Sequence, residues 1–148
     1  MLGTLPHDER CHMAIERSLV MIKPDGVQRG LIGEVLGRIE RKGFRIVALE
    51  MRMMSKELAA KHYDEHVGKD FYEPLVEFMM SGPLVVAVIE GENAIAEWRD
   101  MMGPTNPANA PAGTIRADFA TNTRANVTHG SDSVASANRE IGIWFPGL

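Results

Sequence analysis

Apolar residues along the chain form either short continuous runs or repeats at a spacing of three to four. Residues 18–22 and 84–89 are continuous runs beside turn-forming residues, and residues 44–54 are an apolar stretch that partly alternates. Runs of this length are typical of strands that pack in or against a core. Residues 141–145 have the same character, so the pattern predicts four strands.

Apolar positions at helical spacing fill most of the chain between these runs. The pattern predicts helices over residues 31–42, 55–66, 70–79, 92–102 and 133–139. Gly43 should end the first helix in a left-handed conformation, and Ser55 and Asp70 should cap the next two. Residues 24–26, Pro-Asp-Gly, are interpreted as a turn after the first strand.

Residues 103–130 show neither pattern and are rich in Pro, Asn, Thr and Ala. A loop of this length without periodicity is unusual in a compact domain and tends to be functional. The order of strands and helices around it favours an α+β fold. We expect a split β-α-β sheet with helices on one face.

Composition and charge narrow the class of protein. At 148 residues the chain fits one domain, which we assign to residues 15–148, and we expect residues 1–14 to be a flexible N-terminal extension. The net charge of −4 does not favour a nucleic-acid partner. The lone Cys11 excludes an internal disulfide, and no apolar run approaches the roughly 20 residues that span a bilayer. Because the start lacks a signal-peptide pattern, we expect a cytoplasmic protein.

The candidate chemistry begins at the end of the unpatterned segment, with His129-Gly130-Ser131-Asp132. A neutral imidazole is a competent nucleophile near pH 7, and a carboxylate such as Asp132 or Glu140 can fix its tautomer. A lone histidine is more often structural, so the case for catalysis rests on its neighbours.

Cations and hydroxyls that suit phosphate oxygens accompany this histidine. They are Arg99, Thr105, Thr114, Arg116 and Arg124, with Lys23 at the end of the first strand. No P-loop motif occurs. His62 and His66 are one helical turn apart, but they lack a third metal ligand, so we interpret them as part of an exposed helix.

Together these segments resemble the nucleoside diphosphate kinase family. The matching segments are K-P-D-G-V-Q-R-G at 23–30, H-Y at 62–63, S-G-P at 81–83, G-P-T-N-P-A at 103–108, G-T-I-R at 113–116 and N-V-T-H-G-S-D-S at 126–133. The resemblance runs over nearly the whole chain. It implies a ferredoxin-like fold with a four-stranded antiparallel sheet, and a ping-pong transfer of the γ-phosphate from a nucleoside triphosphate to a nucleoside diphosphate.

The resemblance also implies a role for each matching residue. His129 would carry the phosphate, Glu140 would orient its ring, and Ser131 would hydrogen-bond that carboxylate. Lys23 and Asn126 would hold the ribose hydroxyls, with Lys23 and Tyr63 close to the transferred phosphate. The remaining contacts would be phosphate binding by Arg99, Thr105 and Arg116, and base stacking on Phe71.

Further expectations concern the metal, the base and the assembly. Mg²⁺ would arrive on the nucleotide phosphates, touched at most through water by Asp132, with no direct protein ligand. Stacking on Phe71 implies tolerance of base and sugar, and Thr123 stands where an apolar residue often closes the base slot in the family. The resemblance implies an assembly of either six chains or, as in some bacterial members, four, and the V-Q-R-G segment and Pro107 resemble the hexameric members.

Two other interpretations stay open from the residues. A silent nucleotide-binding member would lack the histidine or a phosphate-binding residue, whereas those positions are filled here. A ferredoxin-like module for protein or nucleic-acid partners would leave the grouping of His129, Glu140 and Lys23 unexplained.

Overall fold

The computed structural model describes residues 14–148. The predicted N-terminal extension therefore lies, up to residue 13, outside the described residues, and so does Cys11. None of the helices in residues 14–148 is long and apolar enough to cross a membrane.

Four strands form one antiparallel sheet. They are β1 (Ile15–Ile22), β2 (Arg45–Arg52), β3 (Leu84–Glu92) and β4 (Thr128–Gly130), in the order β2-β3-β1-β4. β1 pairs with β3 along its length and with β4 at its C-terminal end. This sheet confirms the α+β, ferredoxin-like class.

Helices cover both faces of the sheet, not the single face expected. They are α1 (Pro24–Gln28), α2 (Ile32–Lys42), α3 (Lys56–His62), α4 (Tyr72–Met79), α5 (Ala94–Met102), α6 (Ile115–Phe119) and α7 (Val134–Trp144). Successive strand residues point to opposite faces. Val20 and Ile22 of β1 therefore pack with α2 and α5, whereas Leu19 and Met21 pack with α4 and α7.

The predicted helix ends are confirmed in two cases and wrong in two. Gly43 ends α2 with φ of 103°, and the Ser55 hydroxyl accepts the Leu58 N–H at 3.0 Å. Asp70 is not a cap, because a separate turn closed by the Tyr72 N–H and the Lys69 carbonyl precedes α4. The helix from Ser55 ends at His62, because Tyr63 leaves the helical conformation before the 3-10 turn Asp64–His66.

The predicted strand over residues 141–145 is wrong. These residues continue α7 to Trp144, because Ala137, Glu140 and Trp144 recur at helical spacing and bury one face. The fourth strand is β4, inside the segment expected to be an unpatterned loop. Its three residues, Thr-His-Gly, are too few and too polar to show a strand pattern.

The same segment contains further local structure. A 3-10 turn spans Pro107–Asn109, and α6 follows it, capped by Thr114, whose hydroxyl accepts the Ala117 N–H at 3.2 Å. The expected turn at residues 24–26 is the start of α1, where proline suits the first helical position.

Candidate active site

His129 lies in β4, opposite Met21 of β1. Its Nε2 lies 3.1 Å from Glu140 Oε1 on α7, and its side chain is 20% exposed. Nδ1 has no hydrogen-bond partner within the described part of the chain. One ring nitrogen is therefore held by the protein, and the other remains available for chemistry.

Glu140 is held from two sides. The Ser131 hydroxyl accepts the Leu19 N–H at 3.1 Å, so its own proton is directed to Glu140 Oε1, 2.8 Å away. Burial by itself would raise the pKa of Glu140, but the hydrogen bond and charge of His129 lower it, with a smaller contribution from the Ser131 hydroxyl. The group is therefore a carboxylate, and it selects the His129 tautomer with the proton on Nε2.

Lys23 follows β1 directly and is buried. Its Nζ donates to Asn126 Oδ1 at 2.8 Å, and the Asn126 amide donates in turn to the carbonyls of Thr123 and Thr105. Burial and the charge of Arg116 lower the pKa of Lys23 to about 8. The ammonium group therefore lies close to titration at neutral pH, in the same cavity as His129.

Arg116 on α6 has a structural as well as a predicted binding role. Its guanidinium donates to the carbonyls of Gly103 at 2.9 Å, Thr128 at 2.7 Å and Asn126 at 3.3 Å. Burial and the neighbouring Arg99 lower its pKa to about 10. A guanidinium has five N–H donors, so two remain for a ligand.

The structure brings the predicted residues together around two adjoining cavities. A cavity of about 470 Å³ is lined by Lys23, Arg99, Thr105, Arg116, Asn126 and His129. A second, of about 410 Å³, shares Lys23, Thr105, Thr123 and His129 with the first and adds Tyr63 and Phe71. Phe71 is 43% exposed, and burial raises the pKa of the Tyr63 phenol far above its usual range.

Residues 16–148 match the family model described as nucleoside diphosphate kinase. The chain belongs to this family. A nucleoside diphosphate kinase of Mycolicibacterium paratuberculosis is 60% identical over 132 residues, covering 88% of this chain and 97% of the relative. One of Deinococcus radiodurans is 59% identical over 131 residues, covering 88% and 95%. A crystal structure of the Aquifex aeolicus nucleoside diphosphate kinase superposes with a TM-score of 0.88 at 43% identity, covering 91% of this chain and 98% of that one.

The kinase fold also places at the site a residue, His62, that was expected on an exposed helix. His62 is not part of an exposed helix face, because its ring is buried and lies 4.9 Å from that of His129 between centroids. A ring nitrogen of each histidine and a Glu140 oxygen lie within 4.8 Å of one another. The adjacent His62-Tyr63 match to the kinase family was the one sequence signal for this placement.

The hydrogen bond of His62 argues against a metal at this cluster. The Trp144 indole N–H donates to His62 Nδ1 at 3.1 Å, which leaves the ring proton on Nε2. An indole nitrogen is only a donor, so a metal on Nε2 would require Nδ1 to carry a proton against it. Burial and the charge of His129 lower the pKa of His62 to about 3, so the ring is neutral.

Three other candidates lie at the edge of the kinase site or outside it. Asp132 is exposed, three residues beyond His129. Arg124 lines the second cavity near Phe71. The Thr114 hydroxyl caps α6 and donates to the Pro111 carbonyl at 2.8 Å, so it serves the local backbone.

Proposed function

We propose that this member of the family is an active nucleoside diphosphate kinase that works in two half-reactions. In the first, the His129 Nδ1 lone pair attacks the γ-phosphorus of a nucleoside triphosphate, and the bond to the β-phosphate oxygen breaks. In the second, an oxygen of a nucleoside diphosphate attacks the phosphohistidine, and the electron pair of the P–N bond returns to Nδ1. The observation that carries this proposal is the fixed Nε2–Glu140 contact beside a free Nδ1.

Glu140 and Ser131 act through the imidazole ring. When Nδ1 forms its bond to phosphorus, the ring still carries the Nε2 proton and becomes positively charged. The Glu140 carboxylate, fixed by Ser131, stabilises that charge in place, so no proton has to move.

Cationic and polar residues around His129 position the nucleotide. Phosphoryl transfer depends mainly on positioning and charge stabilisation. Lys23, Arg99, Thr105 and Arg116 face the polyphosphate, and Tyr63 lies beside the transferred group with Lys23. Lys23 and Asn126, joined at 2.8 Å, hold the ribose hydroxyls.

The base occupies the slot between Phe71 and Thr123, both of which line the second cavity. An aromatic face stacks on any base, and Thr123 offers only a small side chain opposite it. The enzyme therefore tolerates different bases and sugars and serves to maintain the nucleoside triphosphate pools.

Mg²⁺ enters as part of the nucleotide. The lining of the larger cavity has three cations and one carboxylate, Asp100, which does not make the all-oxygen cage of a resident magnesium site. This donor set fits a metal that would arrive on the phosphates. Asp132, which is not part of that lining, would contact the metal at most through water. When bound, the metal would neutralise part of the negative charge on the phosphates.

The protein assembles into hexamers through self-association that includes β2. This strand lies at the edge of the sheet, and Leu49, Met51 and Met53 in and beside it are exposed apolar side chains. An exposed apolar edge of this kind is typical of an interface. We assign the kinase to the cytoplasm, with nucleotides as its ligands and neither a membrane nor a specific nucleic acid among its partners.

Labelling tests the reaction. The protein is incubated with γ-labelled ATP and Mg²⁺, and we expect label that is unstable in acid, stable in base and transferred to added GDP. Peptide mass spectrometry should place it on His129, and His129→Ala should lose it while still binding ADP. An unlabelled wild-type protein would exclude the kinase function.

Light scattering tests the assembly. We expect a mass near six times the 16.3 kDa of one chain. Met51→Glu places a charge on the β2 edge and should dissociate the assembly. Val134→Glu, a matched change of an exposed apolar residue at the start of α7, should leave it intact. A monomeric wild type would contradict the hexamer.

A further inference from the structure

The main chain before His129 has an unusual conformation at Val127. This residue is fully buried and has φ of +75°, which is rare for a β-branched side chain. The Thr128 N–H donates to the Asn126 carbonyl at 2.8 Å and closes a three-residue turn around it. Such strain persists only where the surrounding structure holds it.

The Val127 turn joins two functional residues. Asn126, directly before Val127, accepts a hydrogen bond from the Lys23 ammonium, and His129 follows two residues after Val127. The conformation of Val127 therefore sets where the nucleophile lies relative to Lys23. A relaxed turn would move one of them with respect to the other.

The segment Lys23-Pro24-Asp25-Gly26 contacts this turn at three points. The Lys23 N–H donates to the Val127 carbonyl at 2.7 Å, and Asp25 Oδ2 accepts the Val127 N–H at 3.1 Å. A Cβ at Gly26 would lie 2.9 Å from Ile22 Cγ2 and 3.1 Å from Val127 Cγ1, so glycine permits the close approach. Asp25 is the one side chain of this segment that bonds directly to the Val127 main chain.

Only one of the two oxygens of the Asp25 carboxylate has a hydrogen-bond partner. Asp25 Oδ1 is the only buried side-chain nitrogen or oxygen in the described residues that lacks a hydrogen-bond partner. Leaving a buried polar atom unpaired is unfavourable. The carboxylate accepts the Val127 N–H and lies near the Lys23 ammonium, and these two interactions partly offset the burial of its charge.

We propose that Asp25 is a positioning residue for phosphoryl transfer, whose carboxylate holds the strained Val127 turn and thereby fixes His129 relative to Lys23 and Asn126. This role rests on the proposed kinase reaction. It acts on the geometry of the reacting groups, so Asp25 need not touch the nucleotide.

Variants at Asp25 test this role through a separation of kcat from KM. Asp25→Ala removes the acceptor, and we expect kcat to fall more than tenfold while KM for the nucleotide changes less than threefold. Asp25→Asn keeps an acceptor oxygen at the same position and should retain kcat within about fivefold of wild type. Circular dichroism and thermal melting establish that each variant is folded.

Two further variants serve as a second test of the lost contact and as a control. Asp25→Ser is polar but too short to reach the Val127 N–H, and it should behave as Asp25→Ala does, which gives a result if the alanine variant does not fold. Asp118→Ala removes another aspartate that pairs at 2.7 Å with Arg38, away from the nucleophile, and should leave kcat unchanged.

Three outcomes would overturn the proposal. They are a folded Asp25→Ala or Asp25→Ser enzyme with near-normal kcat, an Asp25→Asn enzyme as impaired as the alanine variant, and a change confined to KM. Each differs from a failure of the kinase function itself, which would appear as a wild-type protein that is not labelled on His129.

Discussion

At the scale of single residues, the proposed reactivity of His129 depends on one carboxylate oxygen. Glu140 Oε1 receives both the His129 ring and the Ser131 hydroxyl, at 3.1 Å and 2.8 Å. A histidine without such a partner would distribute its proton between both ring nitrogens. In the proposed reaction, the contact with Glu140 therefore leaves Nδ1 of His129 as the defined reacting atom.

Glu140→Gln tests this contact. The amide oxygen can still accept a hydrogen bond from Nε2–H, but it lacks the negative charge that stabilises the phosphorylated ring. Hydrogen bonds to charged groups contribute about 1.5–3 kcal/mol, so we expect the rate of His129 phosphorylation to fall by about 10- to 100-fold. Rapid-quench labelling measures that rate. Glu77→Gln, an exposed change on α4, is the control, and equal rates for the two variants would contradict the role of Glu140.

The titration of Lys23 predicts an alkaline limit to activity. Its pKa is lowered to about 8 by burial and Arg116, against an opposing effect of Asp25. The charged form is lost as pH rises through that value, so kcat/KM should fall above about pH 8. Bound phosphates favour the charged ammonium. The alkaline fall in kcat should therefore occur at a higher pH than the fall in kcat/KM.

A lysine-to-arginine change checks the origin of that alkaline fall. Lys23→Arg keeps a group that stays charged over the whole range. The variant should be slower because it fits the buried position poorly, but its kcat/KM should no longer decline near pH 8. A decline that persists in Lys23→Arg would assign the fall to another group.

At the scale of secondary structure, sequence patterns succeeded where an element has enough residues to show its period. The helix that ends at Gly43 has a clear helical repeat, residues 84–89 form a long continuous apolar run, and both elements are confirmed. β4 has three residues and α7 has aromatic and β-branched residues near its end, so the fourth strand was assigned to the wrong segment. Both β4 and α7 take their conformations because they pack against β1, and no local sequence pattern indicates that packing.

The same limit applies to the residues of the site. His129, Ser131 and Glu140 lie within one short segment and could be grouped from the sequence. Asp25 and Val127 are in contact across 102 positions of the chain, and His62 meets Trp144 across 82. Contacts at such separations arise only from the way β1, β4 and α7 pack, so local reasoning could not identify them.

Gly130 tests the packing that positions β4. A methyl group there would overlap the Trp98 indole, whose N–H donates to the His129 carbonyl at 3.2 Å. Overpacking of a buried contact costs about 1–3 kcal/mol. We expect Gly130→Ala to lower the free energy of unfolding by about that amount, as measured by urea denaturation, and to slow His129 phosphorylation.

Gly142→Ala provides the matched control for that change. This glycine lies inside α7, and a Cβ there meets no heavy atom within 4 Å. Alanine in a helix interior is more favourable than glycine by about 0.5–1 kcal/mol, so this variant should be slightly stabilised. If both variants shifted stability in the same direction, the close contact between Gly130 and Trp98 would not be the cause.

At the scale of the whole molecule, the fold holds the reacting groups by using both faces of one sheet. Arg116 and Trp98 contact β4 from the side of α5 and α6, whereas Glu140 and His62 contact it from the side of α7 and α3. The position of the residues around His129 thus depends on two separate core clusters. Loss of packing on either face should therefore disturb His129 before the sheet itself is lost.

The burial of His62 on the α3 and α7 side of the sheet predicts how the stability of the fold changes in acid. The pKa of His62 is lowered from 6.5 to about 3 in the folded protein by burial and by the charge of His129. Below pH 6.5 the unfolded chain binds a proton that the folded chain does not. The stability contributed by neutral His62 is therefore complete above about pH 6.5 and is lost progressively as pH falls toward 3.

His62→Phe removes this titration while keeping an aromatic ring in the site. Urea unfolding at fixed chain concentration between pH 4.5 and 6.5 should show a smaller loss of stability with acid than in the wild type. One proton corresponds to a slope of about 1.4 kcal/mol per pH unit, which sets the largest difference to expect. His66→Phe, which removes a partly exposed histidine four positions away, should leave the acid dependence close to that of the wild type. Equal slopes for wild type and His62→Phe would mean that the buried ring is not held neutral by the fold.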